Sequence, residues 1–156
     1  MKRTESKRRR PRTSPAPAIS VHNRQRAIRI EIVALKNFAN RILLKCLEIS
    51  APSPSGLRKL EEINLLLVSD RRIAELHRRF LSLPGPTDVI TFQHGEIFIS
   101  TERARAQARR FGTSIDEEIR LYLTHGLLHL HGFDDKKSPD AAKMARVQAK
   151  LMNSLR

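Results

Sequence analysis

Residues 114–132 read SIDEEIRLYLTHGLLHLHG, and this stretch decides the fold because it predicts a helix with a defined start, face and end. Ser114 is in N-cap position and Glu117 stands three residues later, the spacing of a capping box. Gly132 is suited to end the helix in a left-handed conformation. Between them, apolar residues recur at helical spacing: Ile119, Leu121, Leu123, Leu127, Leu128 and Leu130.

Hydrophobic periodicity and turn residues on either side of this helix predict the remaining elements. The order β-α-β-α-β-β-α-α-α indicates a single-domain α/β fold, with a small mixed four-stranded sheet flanked by about five helices. Residues 63–69, INLLLVS, are mostly apolar, which is typical of a strand buried on both faces. The predicted strands are 18–22, 63–69, 88–92 and 96–100, and the other helices are 25–49, 70–80 with Asp70 as cap, 101–112 and 139–155.

The chain carries 30 Lys and Arg against 16 Asp and Glu, a net charge of +14 that favours polyanionic partners such as RNA. Residues 1–17 combine basic residues with prolines and are predicted to be a disordered tail, either an RNA-binding arm or a solubilising extension. Residues 18–156 form the predicted domain. No apolar run is long enough to span a membrane, and the single cysteine, Cys46, excludes an internal disulfide.

His125 and His129 predict a metal site, because side chains four residues apart share one helical face and can reach a single ion. After Gly132 the chain turns back, which brings Asp134 and Asp135 towards the same place. Two histidines and one carboxylate leave the fourth position of a tetrahedral zinc ion open, as in catalytic sites. We therefore expect Zn²⁺, one per chain, as the cofactor.

The arrangement is similar to the helix of H-E-x-x-H metalloproteases, so the fold includes a zincin-like metal helix. Gly126 stands where those enzymes carry the Glu that acts as general base, which argues against a peptidase. The remaining histidines have no comparable context. His131 is expected to be exposed or to act as a helix end group, and His22, His77 and His94 to be ordinary surface residues.

The chain resembles the YbeY family of metal-dependent endoribonucleases. The family signature H-G-x-L-H-L-x-G-[YF]-D-H is matched over residues 125–134, and a second block is matched by Pro86–Phe92 and Gly95–Ser100. The resemblance covers roughly residues 18–155. It implies a zinc-binding domain that cleaves single-stranded RNA, trims the 3′ end of 16S rRNA in the small ribosomal subunit, acts in ribosome quality control and works in the cytoplasm. It also implies rRNA and small-subunit proteins as partners, and no membrane.

Two positions depart from the family pattern. Asp135 stands where the third ligand is usually His, which lowers the charge of the site by one and relaxes selectivity towards harder ions such as Mn²⁺. Leu81 stands where the family usually has an Arg, so that a phosphate contact would pass to another cation. Arg78 and Arg79 are the nearest candidates.

A metal-dependent endoribonuclease is therefore the first hypothesis, with His125, His129 and Asp135 as ligands. No general base is identified, and Asp134 and Glu96 are the candidates for a catalytic or orienting role. The candidate RNA contacts are Arg78, Arg79, Arg109 and Arg110. The alternatives are a ribosome-associated binding factor with a structural or vestigial zinc, and a zinc metallopeptidase-like hydrolase. With one Tyr, no Trp and six Phe, base stacking is not expected to dominate binding.

Overall fold

The structure is a computed structural model and describes residues 14–156. Its four strands form one mixed sheet in the order β1-β2-β4-β3. Strands β1, β2 and β4 run parallel, and β3 pairs antiparallel with β4 as the edge strand next to it. The predicted α/β class is confirmed. The strands are β1 (Ala18–Asn23), β2 (Glu62–Val68), β3 (Val89–Phe92) and β4 (Glu96–Ser100).

Five α-helices cover the two faces of this sheet. Helix α4 lies at the centre of one layer, in contact with α1, α3, α5 and the two strands of the hairpin, whereas α2 packs on β3 and β4 over a separate apolar cluster. The helices are α1 (Ile32–Glu48), α2 (Asp70–Leu81), α3 (Thr101–Phe111), α4 (Ile115–Leu130) and α5 (Ser138–Ser154). The predicted order of elements is confirmed, with one additional 3₁₀ turn at Leu57–Lys59.

The two ends of α4 form as the sequence predicts. The Ser114 side chain accepts a hydrogen bond from the Glu117 backbone N–H at 3.1 Å, and the Glu117 carboxylate accepts one from the Ser114 N–H at 2.8 Å. At the other end Gly132 adopts a φ of 101°, which favours glycine. The turn sends the chain back along the helix end, and this reversal positions residue 135 for the site described below.

The start of α1 and the cap of α2 differ from the prediction. Helix α1 begins at Ile32 and not at Gln25, because the Gln25 side chain bonds the backbone of Ile28 in both directions, at 2.7 and 2.9 Å. These bonds hold a bend at residues 26–28, in an entry segment whose apolar residues imitate the helical spacing. In α2 the cap is Ser69, whose hydroxyl accepts from the Arg72 N–H, and Asp70 is the first helical residue.

Strand β2 is less symmetrically buried than expected. Ile63, Leu65 and Leu67 are fully buried in the larger core, but Asn64 and Leu66 on the α2 side are only half-buried. The shorter α2 covers its face of the sheet incompletely. The prediction from the mostly apolar sequence that β2 is buried on both faces was therefore wrong on the α2 side.

Most of the predicted N-terminal tail, residues 1–13, lies outside the described residues. The four residues that follow it lead directly into β1, and Pro17 among them is already buried. Pro17 thus packs against the domain although the predicted boundary assigns it to the tail.

Candidate metal centre

Side chains from the middle and end of α4 and from the turn that follows converge on one point. The Nε2 atoms of His125 and His129 lie 3.0 Å apart, and an Asp135 carboxylate oxygen lies 3.3 Å from the first and 3.6 Å from the second. This group, with ligand atoms within 4.8 Å of one another, is the one His/Cys/Asp/Glu cluster suited to a metal in residues 14–156. The structure thus brings together the three residues that the sequence selected, and their role as ligands stays a prediction.

Hydrogen bonds to the far side of each imidazole determine which nitrogen faces the cluster. The Nδ1 of His129 donates to the Phe133 carbonyl at 3.2 Å, and the Nδ1 of His125 donates to the Gln148 side-chain oxygen at 2.8 Å. Each neutral ring then carries its hydrogen on Nδ1 and an unshared pair on Nε2. Two such pairs directed at one another, with a carboxylate beside them, repel unless a cation lies between them.

The separations also fit a tetrahedral ion. Two ligands bonded to zinc at roughly 2.0–2.1 Å are about 3.3–3.4 Å apart in a tetrahedron. The three measured separations, 3.0, 3.3 and 3.6 Å, bracket this value. A donor set of two imidazole nitrogens and one carboxylate oxygen suits Zn²⁺ and also Mn²⁺. The residues present therefore fit a divalent ion.

The electrostatics of the centre favour the neutral, metal-binding form of His129. Burial lowers the pKa of His129, and the neighbouring His125 lowers it further, while Asp135 partly opposes the shift. The side chains of the two histidines are about a quarter exposed and that of Asp135 is 42% exposed. The site is thus open on one side, which lets a substrate approach.

Asp134 does not hold a ligand histidine in the structure, the role considered for it from the sequence. Its Oδ1 accepts from the backbone N–H groups of Asp135 and Lys136, at 2.8 and 3.2 Å. Asp134 therefore shapes the turn that presents Asp135 to the cluster. The orienting partners of the histidines are the Phe133 carbonyl and Gln148 instead.

The close approach of α4 to the β3–β4 hairpin leaves no space for a side chain at Gly126. A Cβ atom at this position would lie 2.9 Å from the Thr91 Oγ1 and 3.0 Å from a methyl group of Ile97. The metalloprotease Glu would have to occupy this space, so the helix cannot carry that residue without moving away from the sheet. The geometry agrees with the sequence in disfavouring a peptidase.

His131 is the C-cap residue of α4, as one of the two sequence-based alternatives expected, but the expectation that it is exposed is wrong. It is fully buried, with Nε2 donating to the Ile49 carbonyl at 2.9 Å and Nδ1 2.7 Å from the Ser55 hydroxyl. Burial lowers the pKa of His131, which keeps it neutral. The loop before β2 covers the end of α4, and His131 joins the two segments.

Glu96, the other acidic candidate, and Asp88 on the segment before β3 lie in separate contacts. Glu96 on β4 pairs with His94 at 2.9 Å, and Asp88 pairs with Arg103 at 3.4 Å. Neither carboxylate belongs to the cluster found among residues 14–156. The structure thus does not place Glu96 among the ligands, and its catalytic role has no support in the geometry.

The four candidate RNA-binding arginines occupy two helix ends. Arg78 and Arg79 lie in the last turn of α2, and Arg109 and Arg110 lie in the last turn of α3; all four are exposed. Within the described part of the chain none of them forms an ion pair. They remain available for phosphates, but none touches the metal cluster.

Gln148 is the functional residue that the sequence did not reveal. It lies on α5, 23 positions after the histidine whose ring it orients, in a helix with no motif of its own. A single polar residue on a predicted helix gives no signal until the helix packing is known.

With this geometry established, comparison with known proteins is informative. A profile described as "Endoribonuclease YbeY" matches residues 20–156. The chain belongs to the endoribonuclease YbeY family. Among curated relatives with that name, the one from Desulfitobacterium hafniense is 35% identical over 131 residues, 72% of this chain and 80% of the relative. The one from Petrotoga mobilis is 34% identical over 145 residues, 88% and 94% of the two chains.

A solved structure agrees on the fold. The solution structure of a Thermotoga maritima protein has a TM-score of 0.57 and 23% identity, covering 88% of this chain and 91% of that one. Membership in the YbeY family confirms the resemblance found in the signature and establishes an endoribonuclease assignment. The place of the usual family Arg is taken by Leu81, which is 48% exposed at the end of α2.

Proposed function

We propose that this chain is a metal-dependent endoribonuclease that cleaves single-stranded RNA, with His125, His129 and Asp135 as ligands of one Zn²⁺ ion. The observation that carries the proposal is the pair of Nε2 atoms 3.0 Å apart, each on a ring whose Nδ1 is already engaged. Family membership supplies the reaction class, and the net charge of +14 suits a phosphate-rich substrate. Mn²⁺ is the second candidate ion, because Asp135 offers a hard oxygen ligand.

When bound, a divalent ion supplies Lewis-acid chemistry to a phosphodiester group and lowers the pKa of water. The chain's own residues prepare the site for it. Gln148 and the Phe133 carbonyl hold the two imidazoles in one orientation and in the tautomer that leaves Nε2 free. Asp134 holds the turn that directs Asp135, and the exposed side of the cluster admits the RNA backbone.

The cellular role proposed here is trimming of the 3′ end of 16S rRNA and ribosome quality control in the cytoplasm, with small-subunit rRNA and proteins as partners. It rests on family membership and on the basic surface, not on a contact in the structure. In the part of the chain that the structure describes, no helix is long and apolar enough to cross a membrane.

The test is metal analysis of the purified protein followed by incubation with single-stranded RNA, double-stranded RNA and casein. We expect about one divalent ion per chain and cleavage of the single strand only. His129→Ala should lose both ion and cleavage. His22→Ala is the matched control, because this half-buried histidine bonds the Asn64 side chain at 2.9 Å, away from the cluster.

Two outcomes would contradict the proposal in different ways. A wild-type protein that holds a stoichiometric ion but cuts no RNA indicates a binding factor with a structural metal. Metal-dependent cutting of casein indicates a peptidase.

A further inference from the structure

An exposed apolar cluster lies where α2 ends and the chain turns towards β3. Phe80 is 55% exposed, Leu81 48% and Leu83 50%. These three residues are close in sequence and are followed by a turn whose Gly85 carbonyl bonds His77 on α2. On a strongly charged protein, a contiguous apolar patch marks a binding surface more often than chance exposure.

The structure aligns three rings at this place, which we call the aromatic row: Phe80, Phe92 and His94. The Phe80 and Phe92 centroids are 5.4 Å apart in an edge-to-face arrangement, and the His94 ring stacks on Phe92 at 5.6 Å with 18° between the planes. Beneath them, Phe98 contacts Phe92 edge-on at 5.8 Å and is itself buried. The row is therefore held by the core while its outer rings face solvent.

Two arginines at the Phe80 end of the row favour a polyanion as its partner, whereas at the other end the Glu96 carboxylate bonds His94 at 2.9 Å. The Arg79 guanidinium lies 5.3 Å from the centroid of the Phe80 ring, and Arg78 is its neighbour on the last turn of α2. Neither arginine has an acidic partner within residues 14–156. Aromatic faces next to free guanidinium groups suit single-stranded nucleic acid, whose bases stack on rings while its phosphates bind cations.

The position of the row relative to the metal centre supports the same partner. Successive side chains of a strand point to opposite faces of the sheet. Thr91 on edge strand β3 faces α4, where it approaches Gly126 beside the ligand His125, and Phe92 packs with the α2 cluster on the other face. Phe92 of the row and α4, the helix that carries two of the proposed ligands, thus contact opposite faces of the same edge strand.

We infer that the aromatic row stacks unpaired bases of the RNA whose backbone reaches the metal centre, and that it thereby selects single strands. Bases in a duplex are stacked on one another and do not offer their faces. From the low aromatic content of the chain, base stacking was not expected to dominate RNA binding. Composition, however, does not show which rings lie together in the fold. The inference rests on the proposed function only for the identity of the substrate.

The test measures binding separately from cleavage. The probes are a short fluorescent oligoadenylate RNA and the same strand with abasic residues in its centre, which keeps the phosphates and removes the bases. Affinities are measured in chelator, where no cleavage occurs, and KM and kcat are measured with metal. The variants are Phe80→Ala, Phe80→Leu and Phe80→Trp.

Phe111→Ala is the matched control, because this phenylalanine is 64% exposed and has the Arg110 guanidinium 5.3 Å from its ring centroid. It lies at the end of α3 and forms no ring pair with the row. Its loss should therefore leave RNA affinity unchanged although it removes the same kind of exposed Arg–Phe pair.

We expect Phe80→Ala and Phe80→Leu to weaken oligoadenylate binding about tenfold, the size of one lost stacking contact, and to raise KM while kcat stays constant. Phe80→Trp should bind at least as well as the wild type, and the abasic strand should not distinguish the four proteins. The salt dependence should be unchanged by Phe80→Ala, since no phosphate contact is removed.

The inference is overturned if Phe80→Leu binds oligoadenylate like the wild type, or if the wild type binds the abasic strand equally well. Either result would assign the patch to another partner, such as a protein. The two proposals can fail separately. Base-dependent binding without cleavage would refute the proposed nuclease activity and would still support base stacking on the aromatic row. RNA cleavage with a KM that Phe80→Ala does not change would refute base stacking on the aromatic row and would leave the nuclease activity supported.

Discussion

Gly126 lies so close to Thr91 that a Cβ atom on the glycine would stand 2.9 Å from the threonine Oγ1. This contact sets the distance between α4 and the β3–β4 hairpin, and His125 directly precedes Gly126 on the helix. The position of one metal ligand thus depends on the absence of a side chain at its neighbour.

We predict that Gly126→Ala destabilises the fold by about 1–3 kcal/mol, the usual penalty of overpacking a core. Within a helix the same change ordinarily stabilises by up to about 1 kcal/mol, so the sign of the effect tests the contact. Urea denaturation gives the free energy of unfolding. Ala149→Gly on exposed α5 is the control and should be less stable by about 1 kcal/mol. A higher urea midpoint for Gly126→Ala would show that α4 has room at this position.

Gln148→Leu should weaken metal binding about 10- to 100-fold, the usual effect of removing a partner of a ligand histidine. The Gln148 oxygen accepts from the His125 Nδ1 at 2.8 Å, and leucine offers no acceptor. Competition with a zinc-sensitive dye measures the affinity. Gln148→Glu, which keeps an acceptor, should bind metal at least as well as the wild type.

Gln107→Leu is the matched control for this experiment. Gln107 on α3 has a buried side-chain oxygen for which the described residues provide no hydrogen-bond donor. The same substitution there should leave metal affinity unchanged. Equal losses in both variants would mean that Gln148 acts through general stability and not through the His125 ring.

Local features of the sequence predicted that the side chains of His125, His129 and Asp135 meet, and contacts between residues distant in sequence were not predicted. The spacing of His125 and His129 and the turn at Gly132 are local, so that helix geometry alone brings Asp135 to the histidines. The burial of His131 depends on Ser55, 76 positions away, and on a loop that folds over the end of α4. Periodicity cannot show such contacts, because they arise only once the loop has packed on the helix.

The predicted start of α1 was wrong for a different physical reason. Apolar residues before Ile32 recur at spacings compatible with a helix, but the Gln25 amide bonds the backbone of Ile28 and stabilises a non-helical bend. A side chain that bonds nearby backbone competes with helix formation, and the hydrophobic pattern does not register this competition.

Asp135→His should retain the metal and shift the preference towards Zn²⁺ over Mn²⁺. Imidazole is the softer ligand, and the substitution removes one negative charge from a cluster whose carboxylate lies 3.3 Å from the His125 Nε2. Competitive loading with the two ions, followed by elemental analysis, measures the ratio. Asp135→Ala should lose most of the affinity, because only two ligands remain.

Asp134→Asn provides the control for the Asp135 variants. An amide oxygen can still accept from the two backbone N–H groups that the Asp134 carboxylate bonds. The turn, the metal content and the ion preference should therefore stay as in the wild type. A change of ion preference in Asp134→Asn equal to that in Asp135→His would mean that the site responds to overall charge and not to the ligand.

Cys46 should react with iodoacetamide only after the protein unfolds. It is fully buried in the core between α1 and its neighbours, and burial raises the pKa of its thiol from 9.0 to about 12. The native thiol is thus protonated at pH values where the unfolded thiol ionises. Between pH 9 and 12 this difference lowers the free energy of unfolding, by up to about 1.4 kcal/mol per pH unit for one group. Below pH 9 the thiol contributes no pH dependence.

Comparison with Cys46→Ala isolates the contribution of the thiol, because the other groups that titrate at high pH are common to both proteins. The variant should be the less stable of the two at pH 8, since it leaves a small cavity, and the difference should shrink as the pH rises above 9. Chemical denaturation at each pH gives both values. A difference that stays constant up to pH 11 would show that the thiol ionises equally readily in the folded and unfolded chains, and that water reaches Cys46 in the native core.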